Sequence, residues 1–335
     1  MLLAKSSPNA QPLLTDNFGR SIEYLRISVT DRCDLRCTYC IPKGFRNFNE
    51  PASWLTFEEI TRLVSVMAHN GLRRVRLTGG EPLLRRNLPS LVRRLAQIDE
   101  ITDISLSTNG TRLAALAAEL RDAGVSRINV SLDTLKAERN EALNGRDVFR
   151  QVLDGLLAAK KAGFHPIKIN MVALKGQNDS EIDDMVEFCA GHGFVLRLIE
   201  AMPMGVTGRN ASHLDLQPVR ERLKQKHGLV ESRIEGGGPA RYLASKDGRV
   251  RIGFITPISE HFCATCNRVR LAVNGTMYLC LGQNEKFEFA PLLRGGASDA
   301  QLLTALADAM ALKPERHEFL EKPDQIGRIM SVTGG

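Results

Sequence analysis

Six of the seven cysteines in this 335-residue sequence fall into two groups of three, at 33, 37 and 40 and at 263, 266 and 280. Cys33, Cys37 and Cys40 form C-x3-C-x2-C on a polar stretch. A structural zinc site takes four protein ligands, and no fourth cysteine or histidine lies nearby. A [4Fe–4S] cube uses one ligand per iron, so three thiolates leave one iron open to a small molecule. The alternative, a degenerate zinc knuckle or three buried cysteines, fits poorly with a cluster this tight on a polar loop. The second group, Cys263, Cys266 and Cys280, is C-x2-C-x13-C. By itself it reads equally well as a zinc ribbon completed by His261 or as a second cube. The first site, and Arg268 and Arg270 beside the second, favour the cube. Cys189 lies at helical spacing among apolar residues and reads as core.

Three basic residues stand out by their surroundings. Arg26, Arg76 and Lys168 alternate with apolar neighbours in strand-like runs, so a barrel would point them inward. A cation buried there is costly unless an anion meets it. Exposure at a sheet edge, or an internal carboxylate partner, is the competing reading. Gly79-Gly80-Glu81-Pro82 offers a further site: its glycines admit close backbone approach and its carbonyls could accept from an ammonium. Taken alone it could be an ordinary turn.

These residues need elements to place them. Strand-like runs cover 25–30, 74–78, 103–108, 127–132, 167–174 and 195–201, and helical patterns lie near 57–70, 88–98, 113–123, 148–162 and 180–191. Thr56 and Glu59 make a capping-box signature. Gly71, Gly124, Gly163 and Gly193 each fall between a helix and a strand, where a left-handed residue is wanted. Six strand–helix units imply parallel pairing, in either a partial α/β barrel or a doubly wound sheet. Either fold gathers functional groups at the carboxyl ends of its strands. After about 205 the pattern changes. Gly236-Gly237-Gly238-Pro239 reads as a linker or wide turn. Runs at 250–255, 269–273 and 277–279 read as strands of a smaller layer around the second triplet, with Asn274-Gly275 as a hairpin turn. A last helix is expected over 299–312.

Hydrophobic residues make up 43 % and charged residues 25 %, the balance of a globular protein with a full core. No apolar run approaches the ~20 residues of a membrane span, and the amino terminus lacks a signal-peptide h-region. Cysteines arranged for metal rather than for disulfides point to a reducing, cytoplasmic setting. The net charge of +7 favours anionic partners. Aromatic residues, at 5 %, offer few platforms for stacking nucleic-acid bases, so no nucleic-acid partner is expected.

With Tyr39 ahead of its last cysteine and Gly79-Gly80-Glu81-Pro82 one βα unit later, the first triplet resembles the radical S-adenosylmethionine (SAM) superfamily. Phe262-Cys-Ala-Thr-Cys-Asn-Arg-Val-Arg270, Cys280 and the terminal Gly334-Gly335 narrow the likeness to the GTP 3′,8-cyclase (MoaA) family of molybdenum cofactor biosynthesis. The likeness runs from about Phe18 to the end. It implies an α/β partial (βα)6 TIM-like barrel over 16–235, preceded by a flexible arm (1–15) and closed by a smaller α+β region over 236–335.

The resemblance implies two [4Fe–4S] clusters, at Cys33, Cys37 and Cys40 and at Cys263, Cys266 and Cys280. Tyr39, Gly80, Ser131 and Met202 match positions that contact SAM. Arg26, Arg76, Ser107, Lys168, Arg268 and Arg270 match positions that contact GTP; Ser107 stands where many members have threonine. The implied reaction abstracts the ribose H3′ with a 5′-deoxyadenosyl radical, joins C3′ to C8, and is completed by an electron and a proton. The product, 3′,8-cyclo-7,8-dihydro-GTP, passes to a second enzyme, MoaC. An unidentified electron donor is implied, and a homodimer is left open. Without a G-x-x-x-x-G-K-[ST] loop, the triphosphate must be held by side chains, for which arginine's bidentate fork is suited. The Gly334–Gly335 tail is expected to fold back into the site and to help organise Arg26 or the loops around it, with a frayed terminus as the alternative. Rival readings are a radical SAM enzyme acting on a peptide, which would carry more C-terminal cysteines, and a non-catalytic metal module binding nucleic acid, whose binding would weaken with salt.

Overall fold

A computed structural model describes residues 14–234 and 236–334. The residues expected as a flexible arm lie mostly, and Gly335 wholly, outside that range. Strands β1 (Tyr24–Ser28), β2 (Arg74–Thr78), β3 (Asp103–Thr108), β4 (Arg127–Ser131), β5 (Lys168–Ala173) and β6 (Val195–Glu200) pair in sequence order and in parallel. Helices Phe57–His69, Leu88–Ala96, Leu113–Ala123, Phe149–Lys161 and Ile182–His192 fill the crossovers. The Thr56 capping box forms, with Thr56 N donating to Glu59 Oε2 at 2.7 Å and Glu59 N to Thr56 Oγ1 at 3.1 Å. Gly71, Gly124, Gly163 and Gly193 all have positive φ.

Period-two alternation in the strands sorts two environments. Leu25 and Ile27, Val75 and Leu77, Ile104 and Leu106, Ile128 and Val130, Ile169 and Met171, and Leu196 and Leu198 belong to one buried apolar core. Each such side chain contributes about 1.5–3 kcal/mol on burial. The positions between them are Arg26, Arg76, Ser105, Ser107, Asn129, Asn170 and Arg197, and they line up across the register. The lumen is therefore polar and basic, whereas a closed eight-stranded barrel usually fills its interior with bulky apolar layers.

The carboxy-terminal strands depart from expectation. Rather than forming a separate smaller layer, β7 (Val230–Ser232), β8 (Arg241–Ala244), β9 (Arg251–Ile255), β10 (Arg268–Leu271), β11 (Thr276–Tyr278) and β12 (Lys286–Glu288) extend the same sheet at both edges. β9 adds in parallel to β6, and β10 adds in parallel to β1. Residues 256–267, which carry Cys263 and Cys266, thus bridge the two edges of the six-strand core. The Asn274-Gly275 turn joins β10 to β11 as an antiparallel hairpin.

Helices Ala137–Asn144 and Leu216–His227 left little trace in the hydrophobic pattern. The first buries Asn140 and Asn144 beside Leu143, and the second buries only Leu216 and Leu223. Among the described residues, no helix is long and apolar enough to cross a membrane.

Candidate active site

Two cavities occupy the barrel and share Ser107, Asn170, Ile199 and Met202 in their walls. The first, about 190 Å³, lies at the carboxyl ends of the parallel strands and is lined by Cys33, Cys37, Cys40, Tyr39, Gly80 and Ser131. The second, about 130 Å³, is lined by Cys263, Cys266, Cys280, Arg26, Arg76, Arg197, Arg268 and Arg270. It draws on the amino-terminal halves of the strands, because the unfilled polar lumen leaves room there. Functional groups are therefore not confined to the carboxyl ends.

Close backbone packing builds the first site. Gly79 has a φ of +153°, and a Cβ on it would lie 2.2 Å from the Thr30 carbonyl oxygen. A Cβ on Gly80 would lie 2.3 Å from the Arg32 carbonyl oxygen. Only glycine lets this turn press against the chain entering the first triplet. Glu81, fully buried, accepts from Thr108 Oγ1 (2.7 Å), Asn109 N (2.7 Å) and Leu83 N (3.0 Å). Burial still pushes its carboxyl up to about 7.

The cysteine loop is pinned from its other side, where Arg36 N and Thr38 N donate to Asn144 O and Leu143 O, each at 2.9 Å. Tyr39 donates its hydroxyl to Asp133 Oδ2 at 2.7 Å, and Val172 N donates to Asp133 Oδ1 at 2.8 Å. Burial pushes the Asp133 carboxyl up to about 6.

Burial also pushes the Cys33 and Cys40 thiols up to about 12 and the Cys37 thiol well above its usual range, each further raised by another cysteine of the triplet or by a nearby carboxylate. Such thiols ionise only when a cationic centre binds them. Among the described residues, no three Cys, His, Asp or Glu side chains are gathered to hold one metal ion. A cube, whose ligands bind separate irons, sets a wider spacing.

The second site is dominated by positive charge. Arg26 lies level with Arg270 on one side and Arg76 on the other. Burial, and then Arg270 and Arg76, push the Arg26 guanidinium well below its usual range. Burial brings Arg197 and Arg270 down to about 10, with Arg268 contributing at Arg270. Two like charges about 5 Å apart repel by roughly 3 kcal/mol at an effective dielectric of 20. Polar neighbours give partial relief: Arg76 Nε donates to Ser105 Oγ at 3.1 Å, and Arg197 Nε to Asn170 Oδ1 at 2.8 Å. Asp103, a carboxylate on β3, is engaged by Arg127. The surplus charge makes this an anion site.

The cysteines here sit in a different field from the first triplet. Burial would raise the Cys266 thiol, but Arg268 and Lys313 bring it down to about 7. Arg20 Nη1 donates to Cys263 O at 2.9 Å and Arg328 Nη2 to Cys280 O at 3.1 Å, fixing both loops.

Lys168 lies outside both cavity walls, two residues before Asn170 on the same strand. Its Nζ is 5.5 Å from the Tyr242 ring centroid, and burial, then Arg197 and Arg127, bring it down to about 7. The tail reaches the first site: Met330 lines that cavity, and a Cβ on Gly334 would lie 2.2 Å from Thr78 Cγ2. Gly335 lies outside the described residues. Cys189 is buried in the apolar core, as its spacing indicates. Sequence reading passed over Arg197, although it interrupts an apolar strand just as Arg26 and Arg76 do. It also passed over Asp133, Asn170 and Lys313, whose surroundings come from distant segments.

Residues 27–189 match the Radical SAM superfamily, and residues 194–319 match the family Molybdenum Cofactor Synthesis C. The chain is 45 % identical to the GTP 3′,8-cyclase of Ectopseudomonas mendocina, covering 96 % of this chain and 98 % of that protein. It is 45 % identical to the GTP 3′,8-cyclase of Agrobacterium fabrum, covering 99 % and 97 %. Among solved structures, Streptococcus suis SuiB bound to S-adenosylmethionine superposes with a TM-score of 0.59 at 17 % identity, covering 93 % of this chain and 77 % of that one, a likeness of fold. Near-complete coverage by these relatives, over a barrel whose two cysteine triplets open onto adjoining cavities, places the chain in the GTP 3′,8-cyclase family of the radical SAM superfamily.

Proposed function

We propose that the chain converts GTP into 3′,8-cyclo-7,8-dihydro-GTP, using a [4Fe–4S] cluster at Cys33, Cys37 and Cys40 and a second at Cys263, Cys266 and Cys280. The observation that carries this reading is the wall of cations, Arg26 with the buried Arg76, Arg197, Arg268 and Arg270, lining the cavity next to the first triplet. A reduced cluster there would supply the electron that splits SAM into methionine and a 5′-deoxyadenosyl radical able to take H3′ from the ribose, with one further electron and a proton completing the cyclised product.

The chain's own groups position the reactants. Gly80, Tyr39, Ser131 and Met202 surround SAM. The arginines, with Lys168 behind them, hold the triphosphate by charge-assisted hydrogen bonds. The shared wall of Ser107, Asn170, Ile199 and Met202 then puts the ribose between the two cavities, so that H3′ faces the first and guanine the second. Ile199, Met202 and Met330 keep water from a carbon radical that would attack any nearby C–H bond. The product keeps its three phosphates and is the substrate of MoaC. The electrons would come from an unidentified one-electron donor, and seven free cysteines support a cytoplasmic setting.

Anaerobically reconstituted protein given SAM, dithionite and GTP deuterated at C3′ is expected to release 5′-deoxyadenosine carrying the label. Unlabelled deoxyadenosine alongside the cyclised product would rule out H3′ as the point of attack. Deleting Gly334 and Gly335 is expected to abolish cyclisation while leaving iron content unchanged, because Gly334 packs closely on Thr78 at the first cavity. Turnover at the full-length rate would mean the tail is a bystander.

Lys168 gives a pH signature. It titrates near about 7 with the cavity empty, and a bound triphosphate raises that value, so the complex holds more protons than its parts above pH 7. GTP affinity should then fall as pH rises above about 7, by up to about tenfold per unit. Calorimetry in buffers of different ionisation enthalpy should register proton uptake that Lys168→Met removes.

A further inference from the structure

Among the described residues, the cation wall and the cysteines leave one buried cation without a role. Lys313 follows the helix Asp299–Ala311, is 3 % exposed, and lies behind the second triplet rather than in the cavity wall. Its Nζ donates to Leu279 O at 2.6 Å, to Arg268 O at 3.0 Å and to Cys266 Sγ at 4.0 Å. An ammonium has three N–H donors, and these three acceptors use all of them. Two belong to residues beside a ligand in the chain, Leu279 next to Cys280 and Arg268 two after Cys266. The third is a ligand sulfur itself.

The segments that carry those residues diverge here, at the open end of the β10–β11 ladder. Cys266 ends the loop before β10, and Cys280 follows the hairpin strand β11, so their spacing depends on the pairing of Arg270 with Tyr278 and Leu271 with Met277. Beyond Tyr278 the ladder stops. Lys313 ties the two chains together there, bonding a carbonyl on each side. Among the described residues its hydrogen bonds go to two carbonyls and one sulfur rather than to a carboxylate, and the anionic groups it approaches are the thiolates of Cys266 and Cys280. Cys263 is fixed from another side, by Arg20, which donates to its carbonyl.

The geometry points to Lys313 as a positioning residue of the second cluster: it sets the separation of Cys266 and Cys280 and places a fixed positive charge against the cluster's sulfur side. This inference rests on the second-cluster reading above. A positive charge at that place stabilises the more negative, reduced state of the cluster, so removing it should lower the midpoint potential. Arg268 and Arg270 face the cavity and would have their charge met by substrate phosphates; Lys313 stays on the protein side whether substrate is bound or not.

The test uses the full chain with Cys33, Cys37 and Cys40 replaced by alanine, so that only the second site can take iron. After anaerobic reconstitution this parent is expected to hold about four irons and four sulfides. Lys313→Gln keeps two N–H donors for the carbonyls but drops the charge, and Lys313→Arg keeps the charge. Iron content, the EPR spectrum of the dithionite-reduced protein and the midpoint potential from a mediated redox titration are compared, with circular dichroism to confirm folding. The glutamine variant should show a lower potential or a lower iron content, and arginine should restore both toward the parent. A change in neither variant, or the same loss in both, overturns the inference while leaving the second cluster in place. A parent that binds no iron overturns the second-cluster reading itself and this inference with it.

Discussion

Charge repulsion inside the lumen is the constraint on which the rest of this structure depends. Arg26, Arg76, Arg197, Arg268 and Arg270 line one cavity of about 130 Å³, with Lys168 buried close by. In an apolar interior such a group would be untenable, since each buried cation needs an opposing charge or a full set of acceptors. The strands accommodate it by devoting their inward positions to serine and asparagine, while their outward positions hold the apolar core that stabilises the fold. Stability and binding are thus separated by the alternation of the β-strand itself. A polyanion entering the cavity relieves repulsion already present, which favours a triphosphate over a neutral nucleoside.

Closure of the barrel makes this arrangement possible. β9 and β10 dock on opposite edges of the six-strand core, and the short segment between them carries Cys263 and Cys266 across the gap. The same connection that completes the lumen wall therefore brings two cysteines of the second triplet to the cavity adjoining the first. Arg20, Arg328 and Lys313 then fix its three cysteines from three separate parts of the chain. The Gly79–Gly80 turn does the equivalent for the first triplet, through backbone contacts too close for any side chain.

Much of this could be read from the sequence, and the limits have physical causes. Parallel strands buried between helices and a lumen announce themselves as alternating apolar runs, so β2 and β3 were delimited to the residue and the other four core strands to within two. The cysteine spacings and the inward arginines were legible because local pattern alone makes them odd. Arg197 carried the same signal and was overlooked. The edge pairings were not legible, because β1 with β10 joins residues some 240 positions apart and no local pattern encodes that partner. Helix Ala137–Asn144 is invisible for a different reason: it buries asparagines and holds the cysteine loop through the Leu143 and Asn144 carbonyls rather than by apolar periodicity.

Anomalous diffraction at the iron edge, from anaerobically grown crystals of the reconstituted protein, probes the central claim directly. Two compact iron peaks should appear, one against Cys33, Cys37 and Cys40 and one against Cys263, Cys266 and Cys280, with the arginine-lined cavity between them. A single iron peak, or absorption at the zinc edge beside the second triplet, would contradict the account.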